Sequence, residues 1–367
     1  MKLLKQLISI ESVSGNESAI QEFIKAYLVT LGFSPTSYKG NVMVKISGQD
    51  THKALIFNAH VDTVAVGEIS SWEYNPFKGI VEDDKVYGLG ASDEKATIAV
   101  MLHLAEILVK QPPAVDVWLH FVVKEEVDGS GTKDCLEWFT EHERRHYQEV
   151  AGVLGEPTGL ASIEVAHRGN VFLTLTSFGD SGHASDPAKI KTHAAFEMFA
   201  FIKKVEVLGK KWEKTYSDSI LGKPTIGLLT SISAGDKLSP NKFPDSCTAT
   251  IDIRTTPALH EKVLAEISAL DKKVKVSFSY PPLFYGNTNS DERIVEVAKR
   301  VTGCPLDMST WSNDLCFFTE HSIPTIVYGP GNKERIHNVN EYCEVANLQK
   351  CLKQYQGIIK AFGVTGL

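Results

Sequence analysis

Apolar segments that resemble buried strands alternate with helical segments along most of this 367-residue chain. The strand-like runs NVMVKI (41–46), ALIFNAH (54–60) and VDVWLHFVV (115–123) flank segments with helical periodicity, such as EKATIAVMLHLAEILVKQ (94–111). Strands that alternate with helices favour a largely parallel sheet covered by helices. The sequence therefore predicts an α/β fold with a mostly parallel sheet.

The middle of the chain follows a different order. Between about residues 166 and 280, a strand and a helix are followed by two strands, a helix and a strand. The order β-α-β-β-α-β is that of a ferredoxin-like unit. We therefore expect this unit to be inserted into a first domain formed by residues 1–165 and 281–367.

Composition and charge narrow the class of protein. The net charge of -7 argues against nucleic acid as the main partner. No apolar run approaches the ~18 residues of a membrane span, and the N-terminal segment is interpreted as an amphipathic helix rather than a signal peptide. The six cysteines are scattered without a C-x-x-C pair, which indicates a reducing, cytoplasmic setting.

One predicted strand ends in an unusual pair of polar residues, His60 and Asp62. Residues two apart in a strand point to the same side, so the imidazole and the carboxylate would share a face. A carboxylate beside an imidazole fixes its tautomer, which suits a metal ligand. A capping or salt-bridging pair at a strand end is an equally good interpretation of this stretch alone.

Other predicted strands and turns also end in acidic or imidazole groups. Open α/β sheets form their sites at the carboxyl ends of strands, so we expect these side chains to meet. Carboxylates that face each other repel, and divalent cations would relieve that cost. A mixed set of histidines and carboxylates suits zinc, cobalt or manganese. The residues are His60, Asp93, Glu125, Glu126, Glu156 and His337.

Seven ordered motifs resemble those of the dizinc metallopeptidase and aminoacylase family, most closely its acetylornithine deacetylase and succinyl-diaminopimelate desuccinylase group. The motifs are HVDTV, YGLGASDEK, KEEVDGSGT, GEPT, SGHASDP, DIRTTP and GPG followed by HNVNEY. The resemblance covers nearly the whole chain. It implies a catalytic domain that binds two metal ions, an inserted lid or dimerisation domain, and a homodimer.

The resemblance also implies a role for each residue of the predicted metal site. Asp93 would bridge two metal ions, which are zinc by analogy with the family. His60 and Glu156 would complete one site, and Glu126 and His337 the other. Asp62 would be the carboxylate that orients His60.

Glu125 is predicted to transfer the proton in catalysis. Adjacent residues of an extended segment point in opposite directions, so Glu125 and Glu126 need not share a role. The resemblance makes Glu125 the general base and acid and Glu126 a metal ligand. A solvated acidic pair at the start of a loop is the simpler alternative. The preceding Lys124 could depress the pKa of Glu125 or could point away from it.

Four further residues are candidates for contact with the substrate. The resemblance implies that His183 helps to stabilise an oxyanion, and it makes Asn241 a candidate ligand for a substrate carboxylate. A buried Arg254 would suit bidentate capture of that carboxylate, or it could form a salt bridge with Asp252. Gly331 lies in a turn whose backbone could approach the substrate, although a plain tight turn fits equally well.

The resemblance implies a metal-dependent amidohydrolase that acts on linear amides. We expect an N-acyl amino acid as substrate, with N-acetylornithine first and hence a role in arginine biosynthesis. A succinyl-diaminopimelate desuccinylase, a dipeptidase or a carboxypeptidase of the same family is the enzymatic alternative. A metal-bound scaffold is the alternative outside enzymes. No nucleic acid or membrane is expected as a partner.

Overall fold

The computed structural model describes residues 1–364, in which helices and strands alternate along the chain. The helices are α1 (Lys2–Ile8), α2 (Ser18–Thr30), α3 (Lys95–Leu108), α4 (Ser130–His142), α5 (Ala194–Thr215), α6 (Pro257–His260), α7 (Val263–Ser268), α8 (Arg293–Thr302), α9 (Leu315–Glu320) and α10 (Val345–Gly363). The strands are β1 (Thr36–Tyr38), β2 (Asn41–Ile46), β3 (Asp50–His60), β4 (Ile80–Glu82), β5 (Lys85–Tyr87), β6 (Val115–Val122), β7 (Glu149–Pro157), β8 (Ile163–Glu164), β9 (Ala166–His167), β10 (Gly169–Phe178), β11 (Gly182–His183), β12 (Thr225–Ala234), β13 (Lys242–Phe243), β14 (Ser246–Thr255), β15 (Lys275–Phe278), β16 (Gly286–Asn287), β17 (Leu306–Asp307), β18 (Thr325–Gly329) and β19 (Tyr342–Glu344).

The largest sheet among these residues has eight strands, in the order β1-β2-β6-β3-β7-β18-β8-β17. Its four central strands β6, β3, β7 and β18 are parallel to one another. Strands β1 and β2 pair antiparallel at one edge. The predicted α/β fold with a mostly parallel sheet is confirmed, and the central strands all end at the same edge of the sheet.

Buried apolar residues explain why the central strands and helices form. Every residue of β6 is buried, as is typical of a parallel strand covered on both faces. Helix α3 packs against α1, α10 and β3 and is buried on most of its surface. It ends at Leu108, because Pro112, four residues later, has no N–H group to donate to the Leu108 carbonyl.

The chain divides into two compact units. Unit 1 comprises residues 1–165, 287–308 and 313–364, and unit 2 comprises residues 166–286 and 309–312. The predicted insertion, residues 166–280, begins where unit 2 begins. Unit 2 extends six residues further and also takes in the short segment 309–312, which lies far along the chain from the rest of the unit.

Unit 2 contains a four-stranded antiparallel sheet in the order β12-β14-β10-β15. Strands β10 and β14 pair from Gly169–Thr255 to Phe178–Ser246, and α5 packs against the sheet. Strand β10, helix α5, strands β12 and β14, the helical segment α6–α7 and strand β15 follow the order β-α-β-β-α-β. The predicted single helix between β14 and β15 is wrong, because the chain forms two short helices, α6 and α7, with Glu261 and Lys262 between them.

A small three-stranded sheet of unit 1, β19-β5-β4, was not anticipated from the sequence. Its strands are three residues long, too short for a clear period-two pattern. Strand β19 pairs with β5 and so brings the segment after His337 beside the turn that leads to Asp93.

Within residues 1–364, no helix combines the length and the apolar character needed to cross a membrane.

Candidate metal centre and active site

The carboxyl edge of the central sheet in unit 1 carries a cluster of imidazole and carboxylate groups. His60 is the last residue of β3, Glu156 lies near the end of β7, and Glu126 follows the end of β6. Asp93 lies in the turn before α3, and His337 lies in the loop after β18. Parallel strands thus bring together side chains that are far apart in sequence.

These groups form two triads that share one carboxylate. Atoms of His60, Asp93 and Glu156 lie within 4.8 Å of one another, as do atoms of Asp93, Glu126 and His337. Asp93 Oδ1 is 2.9 Å from His60 Nε2, and Asp93 Oδ2 is 3.4 Å from His337 Nε2. His337 Nε2 is also 2.9 Å from Glu126 Oε1. The two oxygens of Asp93 therefore face different histidines.

Asp62 connects His60 to the loop that carries Glu125 and Glu126. The His60 Nδ1 atom is 3.0 Å from the Asp62 carbonyl oxygen and 3.5 Å from its Oδ1. The Asp62 carboxylate accepts hydrogen bonds from Ser14 Oγ and from the backbone N–H groups of Glu125 and Glu126. Burial raises the pKa of Asp62, but these bonds and His60 outweigh burial and leave it lowered. Asp62 is thus an ionised anchor for both segments.

Crowding of carboxylates makes the cluster unfavourable without cations. Burial, followed by the charges of Glu125, Glu94 and Asp93, raises the pKa of Glu156 well above its usual range. Glu156 Oε1 is buried and has no hydrogen-bond partner within the described part of the chain. An orphaned buried carboxylate oxygen beside an imidazole is what a metal ligand requires. The residues present therefore fit a pair of divalent cations.

Glu125 lies beside both triads. An oxygen of Glu125 lies within 4.8 Å of ligand atoms of His60 and Glu126. Burial, followed by the negative charge of Asp314, raises its pKa well above the usual range. Lys124 is exposed, and the pKa of Glu125 is raised rather than depressed. A raised pKa suits a carboxyl group that holds and releases a proton near neutrality.

Two buried carboxylates of the site were not singled out from the sequence. Glu94 Oε1 accepts a hydrogen bond of 2.5 Å from the backbone N–H of His60. Asp314 accepts a hydrogen bond of 2.5 Å from Thr132 Oγ1. Burial raises the pKa of Glu94 to about 8 and that of Asp314 to about 7. Their partners are too distant in sequence for a local pattern to reveal them.

His183 and Asn241 lie close together in unit 2. His183 is exposed, and its Nδ1 atom is 2.7 Å from Ser185 Oγ. Asn241 Nδ2 is 3.4 Å from His183 Nε2. The pairing of β11 with β13 explains this proximity, because it places His183 opposite Lys242, the neighbour of Asn241.

Arg254 is not the fully buried arginine that the sequence suggested. Its side chain is 27% exposed and forms an ion pair of 2.9 Å with Asp252, as the salt-bridge alternative predicts. A second arginine was missed: burial and then the charge of Arg254 lower the pKa of Arg168. Ser312 lies between them, 3.5 Å from Arg254 Nη1 and 2.9 Å from the carbonyl oxygen of Arg168.

Gly331 packs closely against the chain itself. A Cβ atom at this position would lie 2.2 Å from the carbonyl oxygen of Ser92. The Gly331 carbonyl accepts a hydrogen bond from the backbone N–H of Gly159. The tight-turn interpretation is therefore sufficient to explain this glycine.

Comparison with known proteins gives two relatives with names from the predicted group. The chain is 27% identical to the succinyl-diaminopimelate desuccinylase of Orientia tsutsugamushi strain Ikeda, over 99% of this chain and 96% of the relative. It is 25% identical to the acetylornithine deacetylase of Pectobacterium atrosepticum, over 99% and 97% of the two chains.

Solved structures share the fold. A tripeptidase from Staphylococcus aureus superposes with a TM-score of 0.77 and 22% identity, over 99% of this chain and 97% of that chain. A dinuclear metal-binding peptidase of the M20 family from Bacillus subtilis superposes with a TM-score of 0.69 and 15% identity, over 98% and 96%. Residues 56–361 match the family described as Peptidase family M20/M25/M40. The chain belongs to this peptidase family and is a metal-dependent amidohydrolase.

Proposed function

We propose that this protein hydrolyses the amide bond of an N-acyl amino acid, with N-acetylornithine as the first candidate substrate. The main support is the pair of triads that share Asp93, with Glu125 beside them. A pair of cations next to a carboxyl group with a raised pKa is suited to the hydrolysis of an unactivated amide.

His60, Asp93 and Glu156 would hold one cation, and Asp93, Glu126 and His337 the other. The mixed nitrogen and oxygen donors favour zinc, with cobalt or manganese as alternatives. When bound, such cations polarise a carbonyl group and lower the pKa of a water toward neutrality. Asp62 would keep His60 in the tautomer that leaves Nε2 free to bind.

Glu125 would carry the proton through the reaction. Its carboxylate takes a proton from the attacking water as the new carbon–oxygen bond forms. It then gives that proton to the amide nitrogen as the carbon–nitrogen bond breaks. The products are the free carboxylic acid and the amine of the amino acid. The buried surroundings of Glu125 favour its protonated form between these two transfers.

Unit 2 would supply contacts with the substrate. We propose that His183 stabilises the oxyanion that develops on the amide oxygen, and that Asn241 contributes a hydrogen bond to the substrate carboxylate. Arg254 would bind that carboxylate by exchanging part of its ion pair with Asp252. Such an exchange is feasible because both side chains remain partly exposed.

A desuccinylase is the second candidate, and the two adjacent arginines favour it. Arg168 and Arg254 are close enough for their charges to interact, and they would repel each other less with an anion between them. A succinyl group carries a carboxylate that an acetyl group lacks. The relative of Orientia tsutsugamushi also bears the desuccinylase name.

Kinetics on a panel of substrates tests both candidates. Protein loaded with Zn²⁺, Co²⁺ or Mn²⁺ is assayed for amine release from N-acetylornithine, N-succinyl-diaminopimelate and dipeptides. We expect the highest kcat/KM on N-acetylornithine, and loss of activity with chelator or in Glu125→Ala. Full activity in metal-free protein or in that variant would contradict the mechanism. Preference for the succinyl substrate would select the second candidate, and no turnover with two cations bound would favour a scaffold.

We also propose that unit 2 mediates a homodimer. Phe196, Phe199 and Val207 fall on one face of α5, where they are 68%, 49% and 68% exposed. Strand β12 is at the edge of the four-stranded sheet, with backbone groups available for pairing. An exposed apolar stripe beside a free edge is typical of an interface. Light scattering of the wild type and of Phe196→Glu tests it, with a dimer and a monomer expected respectively.

The cellular role follows from the first candidate substrate. Deacetylation of N-acetylornithine would place the protein in arginine biosynthesis. The six cysteines are all free thiols, which is consistent with the reducing cytoplasm that we propose as its location. Growth of an arginine auxotroph that lacks this activity, complemented with this chain, tests the assignment.

A further inference from the structure

Glu341, four residues after His337, presents a buried carboxylate to the turn that carries Asp93. Its side chain is 2% exposed. Its Oε1 atom accepts hydrogen bonds from the backbone N–H groups of Ser92, at 2.7 Å, and Asp93, at 2.9 Å. Its Oε2 atom accepts a third from the N–H group of Gly90, at 2.9 Å. One side chain therefore satisfies three donors of the same turn.

The turn depends on these bonds because it lies outside helices and strands. Gly90 has a φ of 76°, and a Cβ atom there would lie 2.9 Å from Thr63 Cγ2. Buried backbone N–H groups need acceptors, and an irregular turn cannot supply them from a regular ladder. Glu341 supplies them from a segment that is about 250 residues away in sequence.

Further bonds join the same two segments. The backbone N–H of Gly88 donates to the carbonyl oxygen of Glu341. Ser92 Oγ donates to the carbonyl oxygen of Tyr342, at 2.6 Å, and accepts from the backbone N–H of Asn332, at 2.8 Å. The turn before Asp93 and the loop that contains His337 are therefore joined on both sides of that loop.

His337 lies in an exposed part of its loop. Its side chain is 49% exposed, and its backbone has a φ of 57°. Three residues on, Asn340 Oδ1 accepts a hydrogen bond from the backbone N–H of Glu73, at 2.7 Å. The position of the imidazole therefore depends on the anchored residues that follow it, among them the buried Glu341.

We infer that Glu341 is a positioning residue, which fixes the turn of Asp93 relative to the loop of His337 and so sets the affinity of the Asp93–Glu126–His337 triad for its cation. This inference rests on the proposed metal centre and deepens it. Glutamine is similar in shape to glutamate, but it would lose one acceptor oxygen and turn an N–H₂ group toward the N–H donors. The substitution would therefore loosen the turn and separate the two ligands.

Glu341→Gln tests the inference, with Glu344→Gln as the matched control. Glu344 lies in the same segment, but its carboxylate accepts from Asn332 Nδ2 and Asn347 Nδ2 rather than from the Asp93 turn. In metal-free protein, hydrogen exchange read by mass spectrometry should rise at least ~10-fold in residues 88–93 of Glu341→Gln alone. Glu341→Asp, which keeps both acceptor oxygens on a shorter side chain, should fall between wild type and Glu341→Gln.

Zinc affinity provides the second measurement. Competition with a chromophoric chelator should show one of the two cations of Glu341→Gln bound ~10–100-fold less tightly than in the wild type, because residues that hold metal ligands typically have effects of this size. Glu344→Gln should bind both cations as the wild type does. Unchanged exchange in residues 88–93 together with unchanged zinc affinity would overturn the inference.

Ser92→Ala keeps the test decisive if Glu341→Gln does not fold. This variant removes only the two hydroxyl bonds between the same segments, so exchange and zinc affinity should shift in the same direction by a smaller factor. Neither measurement uses a substrate. A protein that binds zinc as described but hydrolyses no acyl amino acid would refute the proposed function and leave the role of Glu341 intact.

Discussion

The candidate site residues of the two units are held in different ways. In unit 1, Asp62 accepts bonds from three groups, and Glu94, Asp314 and Glu341 are buried carboxylates with partners on distant segments. In unit 2, His183 is exposed and bonds to Ser185, two residues away. This difference supports the proposed division of roles, in which unit 1 holds the cations and unit 2 contacts the substrate.

The largest effect is expected at Glu125, in unit 1. Glu125→Gln cannot carry a proton, so kcat should fall by ~10²–10⁴-fold. Bound zinc should remain at two ions per chain, because Glu125 is proposed to stay outside both cation sites. Metal analysis beside steady-state kinetics checks both points. Loss of one zinc ion would show that Glu125 is a ligand instead.

A smaller effect is expected at His183, in unit 2. His183→Ala should lower kcat by ~10²–10³-fold, because it removes one donor to the developing oxyanion. Zinc affinity and the free energy of unfolding should be unchanged, since the side chain is exposed. Kinetics, chelator competition and urea unfolding measure the three quantities. Weaker zinc binding would show that the roles proposed for the residues of the two units are not separate.

A substitution at Asp62 should mainly weaken zinc binding, whereas His183→Ala should mainly lower kcat. Asp62→Asn keeps the size of the side chain but removes the charge that faces His60 and the N–H groups of Glu125 and Glu126. We expect zinc to bind ~10–100-fold less tightly, with kcat largely restored in excess zinc. Activity measured over a range of free zinc concentrations separates the two quantities. A kcat that stays low at saturating zinc would contradict a purely orienting role.

The smallest effect on turnover is expected at His120, which is buried in β6 of unit 1. Its ring packs edge-on against Trp118 and Phe139, and neither ring nitrogen has a hydrogen-bond partner among residues 1–364. Burial lowers the pKa of His120 from 6.5 to about 3. The folded protein therefore keeps this ring neutral in a pH range where the unfolded chain protonates it.

The free energy of unfolding should consequently fall as the pH drops below 6.5, by up to ~1.4 kcal/mol per pH unit from this group, until the pH nears 3. His120→Leu removes the contribution, so its stability should fall less steeply than that of the wild type. His52→Leu, at an exposed histidine, is the control and should keep the wild-type slope. Urea titrations at several pH values measure the slopes, and equal slopes for the wild type and His120→Leu would contradict the assignment.

Much of the fold could be predicted from the sequence because strands and helices differ in period. The parallel sheet follows from the alternation of long apolar strands with helices. The division of one predicted helix into α6 and α7 could not be predicted, because the apolar positions of the two short helices continue a single helical pattern. The strands of the β19-β5-β4 sheet are likewise too short to show a pattern.

Part of the candidate site could likewise be predicted from the sequence, and part could not. His60, Glu126 and Glu156 could be expected to meet because each lies at the end of a predicted parallel strand, although their roles as ligands stay predictions. The functions of Glu94 and Glu341 could not be anticipated from the same reasoning. Their partners are backbone N–H groups on distant segments, and such bonds leave no spacing in the sequence.

Anomalous diffraction from zinc-loaded crystals tests the central claim most directly. We expect two zinc peaks per chain, each about 2.1 Å from its histidine nitrogen, with one oxygen of Asp93 on each ion and no direct contact from Glu125. A single peak, or a zinc ion bound directly by Glu125, would contradict the account of a shared carboxylate and a free proton carrier.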